Sequence, residues 1–158
     1  MDLHAPCPTQ RVEFLQYICN ISVRLSYLVL ILLRHVVRKG EKVIVWANSP
    51  QVLWLCELVL QLCEIGYVSI HAGVKNSARM AAEDAYNNNP EVMVCLASTL
   101  SCSDSMNLQK GGFCQLAMEP VSGTVEAQAS GRSARIGQKA VEVLFYKAFV
   151  DNSYDSIL

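Results

Sequence analysis

Five short apolar runs, separated by stretches with helical signals, constrain this chain more than any other feature. The first, Lys42-Val-Ile-Val-Trp46-Ala, is β-branched with polar flanks, as a buried parallel strand requires. Tyr67 to His71, Val92 to Ala97, Gly112-Phe113 to Met118 and Val141 to Phe149 are the other four. Ser49-Pro50 supplies a cap and a first-turn proline for a helix running to Gly66. After Gly73, Ser77 caps a second helix through about Tyr86, which the Asn87-Asn-Asn-Pro90 turn ends. A further helix precedes the fifth strand. Strands and helices alternating at this spacing predict a three-layer α/β/α sandwich on a mostly parallel sheet.

Upstream, the chain from Arg11 to Arg38 is apolar, and Leu25 to Leu33 carries no charge. A membrane span needs about 20 such residues, and Glu13, Arg24 and Arg34 interrupt the longer run. The expectation is one buried helix that stops at Gly40 and either packs on more than one side or is exposed where a partner is missing. Residues 1–10, with Pro6 and Pro8 and no secretory signal, read as a flexible tail. Residues 11–158 then form one domain, for which 52% hydrophobic residues supply a sizeable core.

Thirteen basic residues against fourteen acidic ones give no field for non-specific nucleic-acid binding, so any such contact is local. Seven cysteines without a Cys-x-x-Cys pair or Cys/His ligand spacing read as buried reduced thiols of an intracellular protein, with no metal site. Cys56 and Cys63 share a helix face at core spacing. His4, His35 and His71 have no Ser or Asp partner at triad spacing. His35 reads as a snorkelled helix-end residue and His71 as a strand-end residue.

The most chemically specific stretch is Gln128-Ala-Ser-Gly131-Arg132-Ser-Ala-Arg135-Ile-Gly137-Gln138. On a helix, Gln128, Arg132 and Arg135 fall within about 60° of one another, making one face cationic. Two guanidiniums three residues apart on a rigid element suit a multiply charged oxyanion such as a phosphate. Gly137 ends the helix.

This stretch resembles the last helicase motif of the Swi/Snf-type ATPases, Gln-Ala-x-x-Arg-x-x-Arg-x-Gly-Gln, at every fixed position. Glu119-Pro120 stands where the family has Glu-Pro-x-Trp-Asn-Pro. Asn152-Ser-Tyr-Asp155-Ser-Ile157-Leu158 is similar to its Asn-Thr-x-Asp/Glu-x-x-Ile. The resemblance implies the second RecA-like lobe of such a motor, the helicase C-terminal domain of the P-loop NTPase superfamily. By resemblance Arg135 is the finger on the γ-phosphate of ATP, Arg132 its companion, and Gln128 a coupler of nucleotide to the lobe interface. Gly131 and Gln138 join Gln128 as nucleotide-binding positions, and the location is nuclear.

The loop after the third strand, Ser98-Thr99-Leu-Ser-Cys-Ser-Asp-Ser-Met-Asn107-Leu108, matches the family's Ser-Thr-x-Ala-Gly-Gly-x-Gly-Leu-Asn-Leu at Ser98, Thr99, Asn107 and Leu108. There the family touches the nucleic-acid backbone, although hydroxyls closing a strand-to-loop turn account for Ser98 and Thr99 equally well. Cys102, Ser103 and Ser105 replace the glycines, and Asp104 adds a negative charge. A Cβ where positive φ is required costs about 1 kcal/mol per site. The family's Asp-Gly after the second strand is Ala72-Gly73 here, and Ser122-Gly-Thr124 replaces Trp-Asn-Pro.

Gly-x-x-x-x-Gly-Lys-Ser/Thr occurs nowhere in the 158 residues, nor does an acidic pair placed to hold magnesium. ATP with Mg2+ is therefore expected only if a first RecA-like lobe supplies the cradle, and the chain alone is expected to hydrolyse nothing. A protein-interaction domain that keeps the fold without the motor contacts is the alternative. A flavodoxin-like ligand binder fits poorly, since Ala47-Asn-Ser-Pro50 is short and glycine-free.

Overall fold

The computed structural model describes residues 10–99, 107–108, 113–119, 123, 127, 131 and 142–149. Each apolar run forms a strand: β1 Val43–Ala47, β2 Tyr67–Ile70, β3 Val94–Ser98, β4 Cys114–Ala117 and β5 Leu144–Lys147. All pair in parallel in the order β2-β3-β1-β4-β5. The strands are shorter than the sequence runs because pairing ends where neighbours end, although β3 starts later and reaches one residue further, to Ser98.

Strand alternation divides the core into two layers. Val43, Val45 and Ala47 of β1, Val94 and Leu96 of β3, and Cys114 and Leu116 of β4 meet α1 (Arg11–Ile21), α2 (Val23–Ile31) and α3 (Pro50–Leu62). Ile44, Trp46, Cys95 and Ala97 face α4 (Asn76–Asn88) through Ile70 and Tyr86. Trp46 Nε1 donates to buried Gln115 Oε1 at 2.7 Å, so the polar atoms between β1 and β4 are matched.

The N-terminal run is not one helix. Ser22 adopts an extended backbone, φ −133° and ψ 113°, and its hydroxyl accepts from the Leu25 amide at 3.4 Å, ending α1 and capping α2. Local side-chain bonds of this kind compete with helix continuation. Beyond α2 the chain loosens into a π-helix, Leu32–Val37, closed by a bond from the Arg38 amide to the Leu33 carbonyl, and Gly40 turns it out at φ +65°.

His35 in that π segment corrects the snorkelling expectation, being wholly buried. Its Nδ1 lies 2.7 Å from Glu41 Oε2 and its Nε2 3.2 Å from the Tyr146 hydroxyl, joining the helical layer to edge strand β5.

Helix limits differ from the sequence signals too. Pro50 opens α3 with Ser49 as cap, as expected, but the helix stops at Leu62, short of Gly66, because Glu64 turns to φ 54°. Helix α4 begins before Ser77, with Lys75 at its cap position. It passes Tyr86 to Asn88, where Lys42 Nζ donates to the carbonyls of Tyr86 and Asn89 and satisfies the helix end.

Gly66 is where the α3–β2 connection touches the turn before β3. A Cβ there would lie 2.1 Å from the Glu91 carbonyl oxygen, backbone that cannot swing aside. Gly66→Ala is expected to cost about 1–3 kcal/mol, read as a lower urea midpoint with unchanged slope.

Candidate functional site at the carboxyl edge of the sheet

In an open parallel sheet, ligands meet the strand ends where the chain's direction of travel across the sheet reverses. Here that place is the end of β1. Its connections first lead to β2 and β3 on one side and then, past β1 itself, to β4 and β5 on the other.

Three strand ends converge there. Glu119, just after β4, accepts at Oε2 from the backbone amides of Asn48 (2.6 Å) and Ser49 (2.8 Å), beyond β1. Thr99, just after β3, donates from Oγ1 to Asn48 Oδ1 at 3.1 Å. Ser49 then caps α3, its hydroxyl accepting from the Val52 amide at 3.4 Å. The Glu119 carboxylate therefore sits on the positive end of α3, where negative charge is stabilised. The amides that an anion would seek in this loop already have one.

Ser98 and Thr99 are each 6% exposed. The structure brings both to the Asn48 side of the edge and uses the Thr99 hydroxyl to close the strand-to-loop junction. Asn107 is placed otherwise: its amide donates to Glu83 Oε1 at 3.0 Å and its carbonyl accepts from Asn87 Nδ2 at 2.7 Å, both on α4. Leu108 beside it is buried against the α4 face of the sheet. Gly131 is exposed and its amide bonds the Ala127 carbonyl at 3.1 Å, a four-residue helical step. Gln128, Arg132, Arg135, Gly137 and Gln138 lie outside the described residues, as do the substituted glycine positions 102–105.

Beside this edge a cleft of about 390 Å³ opens between α3 and the turn after β2. Trp54 of α3, 62% exposed, and Glu57 form one wall, and His71, Ala72 and Gly73 the other, with Asn48 and Ser98 also lining the cleft. His71 is a strand-end residue, as expected, its Nδ1 accepting from the Gly73 amide at 3.3 Å. Sequence reasoning singled out neither Trp54 nor the role of Glu119. An acidic residue directly after a buried strand was the available signal for Glu119, but its partners lie 70 residues away.

The described thiols suit packing better than catalysis. Burial is the main force pushing Cys56 and Cys114 up to about 12. Among the described residues, no group of three His, Cys, Asp or Glu side chains could hold a metal, and no helix is long and apolar enough to cross a membrane.

Taken together, the parallel order, the two helical layers and the reversal at β1 define a RecA-like α/β lobe. The profile of the helicase conserved C-terminal domain matches residues 24–137, and the chain belongs to that family. Its likeness within the family is to the Swi/Snf branch. A zebrafish (Danio rerio) protein, "SWI/SNF-related matrix-associated actin-dependent regulator of chromatin subfamily A containing DEAD/H box 1A", is 28% identical over 107 residues, 67% of this chain and 11% of that protein. The crystal structure of the C-terminal part of the Fun30 ATPase domain superposes with a TM-score of 0.81 at 20% identity, covering 92% of this chain and 52% of that one. The chain thus spans about a tenth of the curated relative and about half of the solved one.

Glu119→Ala removes the acceptor of the Asn48 and Ser49 amides, which water can partly replace, and is expected to cost about 1 kcal/mol in urea unfolding, while Glu119→Gln, which keeps an acceptor, costs less. Cys56 and Cys114 are expected to resist a thiol reagent at pH 8 until denaturant is added. Because folding raises their pKa, their contribution to stability is intact below about pH 8.5 and falls as pH rises toward 12.

Proposed function

We propose that the chain acts as the second lobe of a Swi/Snf-type DNA-dependent ATPase, completing a nucleotide pocket whose cradle and magnesium ligands a first RecA-like lobe provides. The observation that carries this reading is the Gln128, Arg132, Arg135, Gly137, Gln138 set lying within or beside the matched region 24–137, on a RecA-like fold. Arg135 would reach the γ-phosphate across the inter-lobe cleft, Arg132 would stand beside it, and Gln128, Gly131 and Gln138 would line the nucleotide side.

Phosphoryl transfer is catalysed by positioning and electrostatics, so guanidiniums act only on a phosphate already held by a cradle and metal. By itself the chain is inactive on this reading. ATP and Mg2+ belong to the joined lobes.

Ser98, Thr99 and Asn107 would mark the DNA-backbone surface. Thr99 would meet a phosphate by exchanging its bond to Asn48, and the carboxylates Glu119 and Glu57 nearby make that contact weak. The likeness to the chromatin regulator named above supports a nuclear setting.

Purified chain with DNA and Mg·ATP is expected to show no turnover. A complementing first lobe is expected to restore DNA-stimulated hydrolysis, which Arg135→Ala lowers by about a thousandfold or more. Turnover by the chain alone, abolished by Arg135→Ala, overturns the proposal.

A further inference from the structure

The outer face of α2 and of the π segment after it carries a second set of apolar residues, apart from the set that meets the sheet. Leu25, Leu28, Ile31, Leu32 and Val36 are buried in the core, whereas Val23 (72%), Leu30 (56%), Leu33 (42%) and Val37 (64%) are exposed. The exposed four are spaced seven, three and four apart, the spacing by which one helix offers a seam to another. From Val23 to Val37 the strip runs for about 20 Å. Single exposed apolar residues are ordinary, but a continuous strip of them marks an interaction surface.

Two features select the occupant. The first is shape. Between α2 and the end of β5 the strip deepens into a cleft of about 390 Å³, with Tyr27 and Leu30 on one side and Phe149, 53% exposed, on the other. A groove walled in this way suits a helix, about 10 Å across, better than a flat bilayer. The second is charge. Arg34 and Arg38 stand exposed along the strip, and no carboxylate lies between Val23 and Val37. The next acid in the chain, Glu41, is held by His35 at 2.7 Å and by Lys39 at 3.5 Å. A second copy packed through the same helix would therefore leave both arginines without an answering charge.

We propose that this groove docks an amphipathic helix of a partner protein, apolar along one side and bearing carboxylates at its margin. The apolar side packs on Leu30, Leu33 and Val37, and the carboxylates reach Arg34 and Arg38. The docking uses none of the residues assigned to nucleotide or DNA, so it stands or falls apart from the motor reading.

Fluorescence anisotropy with the full chain tests this, using two labelled synthetic helices of about 15 residues, matched to the length of the strip. Both carry leucine at the seam positions; one has glutamate at its margins and the other lysine. The glutamate peptide is expected to bind about fivefold tighter or more, and Leu30→Ala, at an exposed position where alanine favours helix, is expected to weaken it by about fivefold. The double variant Arg34→Glu, Arg38→Glu is expected to reverse the preference with the far-UV circular dichroism unchanged. No preference between the peptides, or a preference that survives the charge reversal, overturns the proposal. So does self-association of the chain that Leu30→Ala abolishes, which assigns the strip to a second copy, or Leu30-dependent binding to vesicles of anionic phospholipid in place of peptide.

Discussion

The burial of β1 on both faces and both edges is the constraint from which the rest follows. All five residues Val43 to Ala47 are at most 1% exposed, and the strand is bonded to β3 on one side and β4 on the other. A β-branched run flanked by Lys42 and Asn48 leaves no other favourable arrangement, since every polar backbone group within it must be paired. Once β1 is central, the residues just beyond it are forced against those just beyond β3 and β4. The Asn48, Thr99 and Glu119 cluster is the result.

That cluster explains why this edge is poorly suited to gripping a phosphate unaided. A free helix N-terminus is a ready anion site, but α3 is already served by Ser49 and by Glu119, whose carboxylate would repel a second anion. A self-satisfied edge of this kind is compatible with a lobe that contributes charged groups from elsewhere on its surface to a pocket shared with another domain, as proposed here. It is a poor match to a self-sufficient nucleotide binder of the flavodoxin type, which needs its phosphate loop after the first strand.

The strands were legible because an apolar run of four to six residues between turn signals has few alternatives, and the layer architecture came with them. What escaped was whatever depends on partners distant in sequence. The break at Ser22 and the π turn at Leu32–Val37 are invisible to hydropathy, which sees an unbroken apolar run. His35 looked like a helix-end residue because its partner Tyr146 is 111 positions away. Glu119 stood out only through its place before Pro120, although its structural work is to bind two amides of the β1–α3 loop. Ser98 and Thr99 stood out through the motif, whereas the bond from the Thr99 hydroxyl to Asn48 depends on a partner 51 positions away. Asn107 was found the same way, yet its backbone is anchored to α4 rather than to the β1 edge.

The proposed division of the nucleotide pocket between two lobes is tested most directly by equilibrium dialysis of Mg·ATP against the purified chain. It predicts no saturable binding by the chain alone up to millimolar nucleotide, with binding appearing when a first RecA-like lobe is added. Saturable micromolar binding by the chain alone, lost in Arg132→Ala, would contradict it.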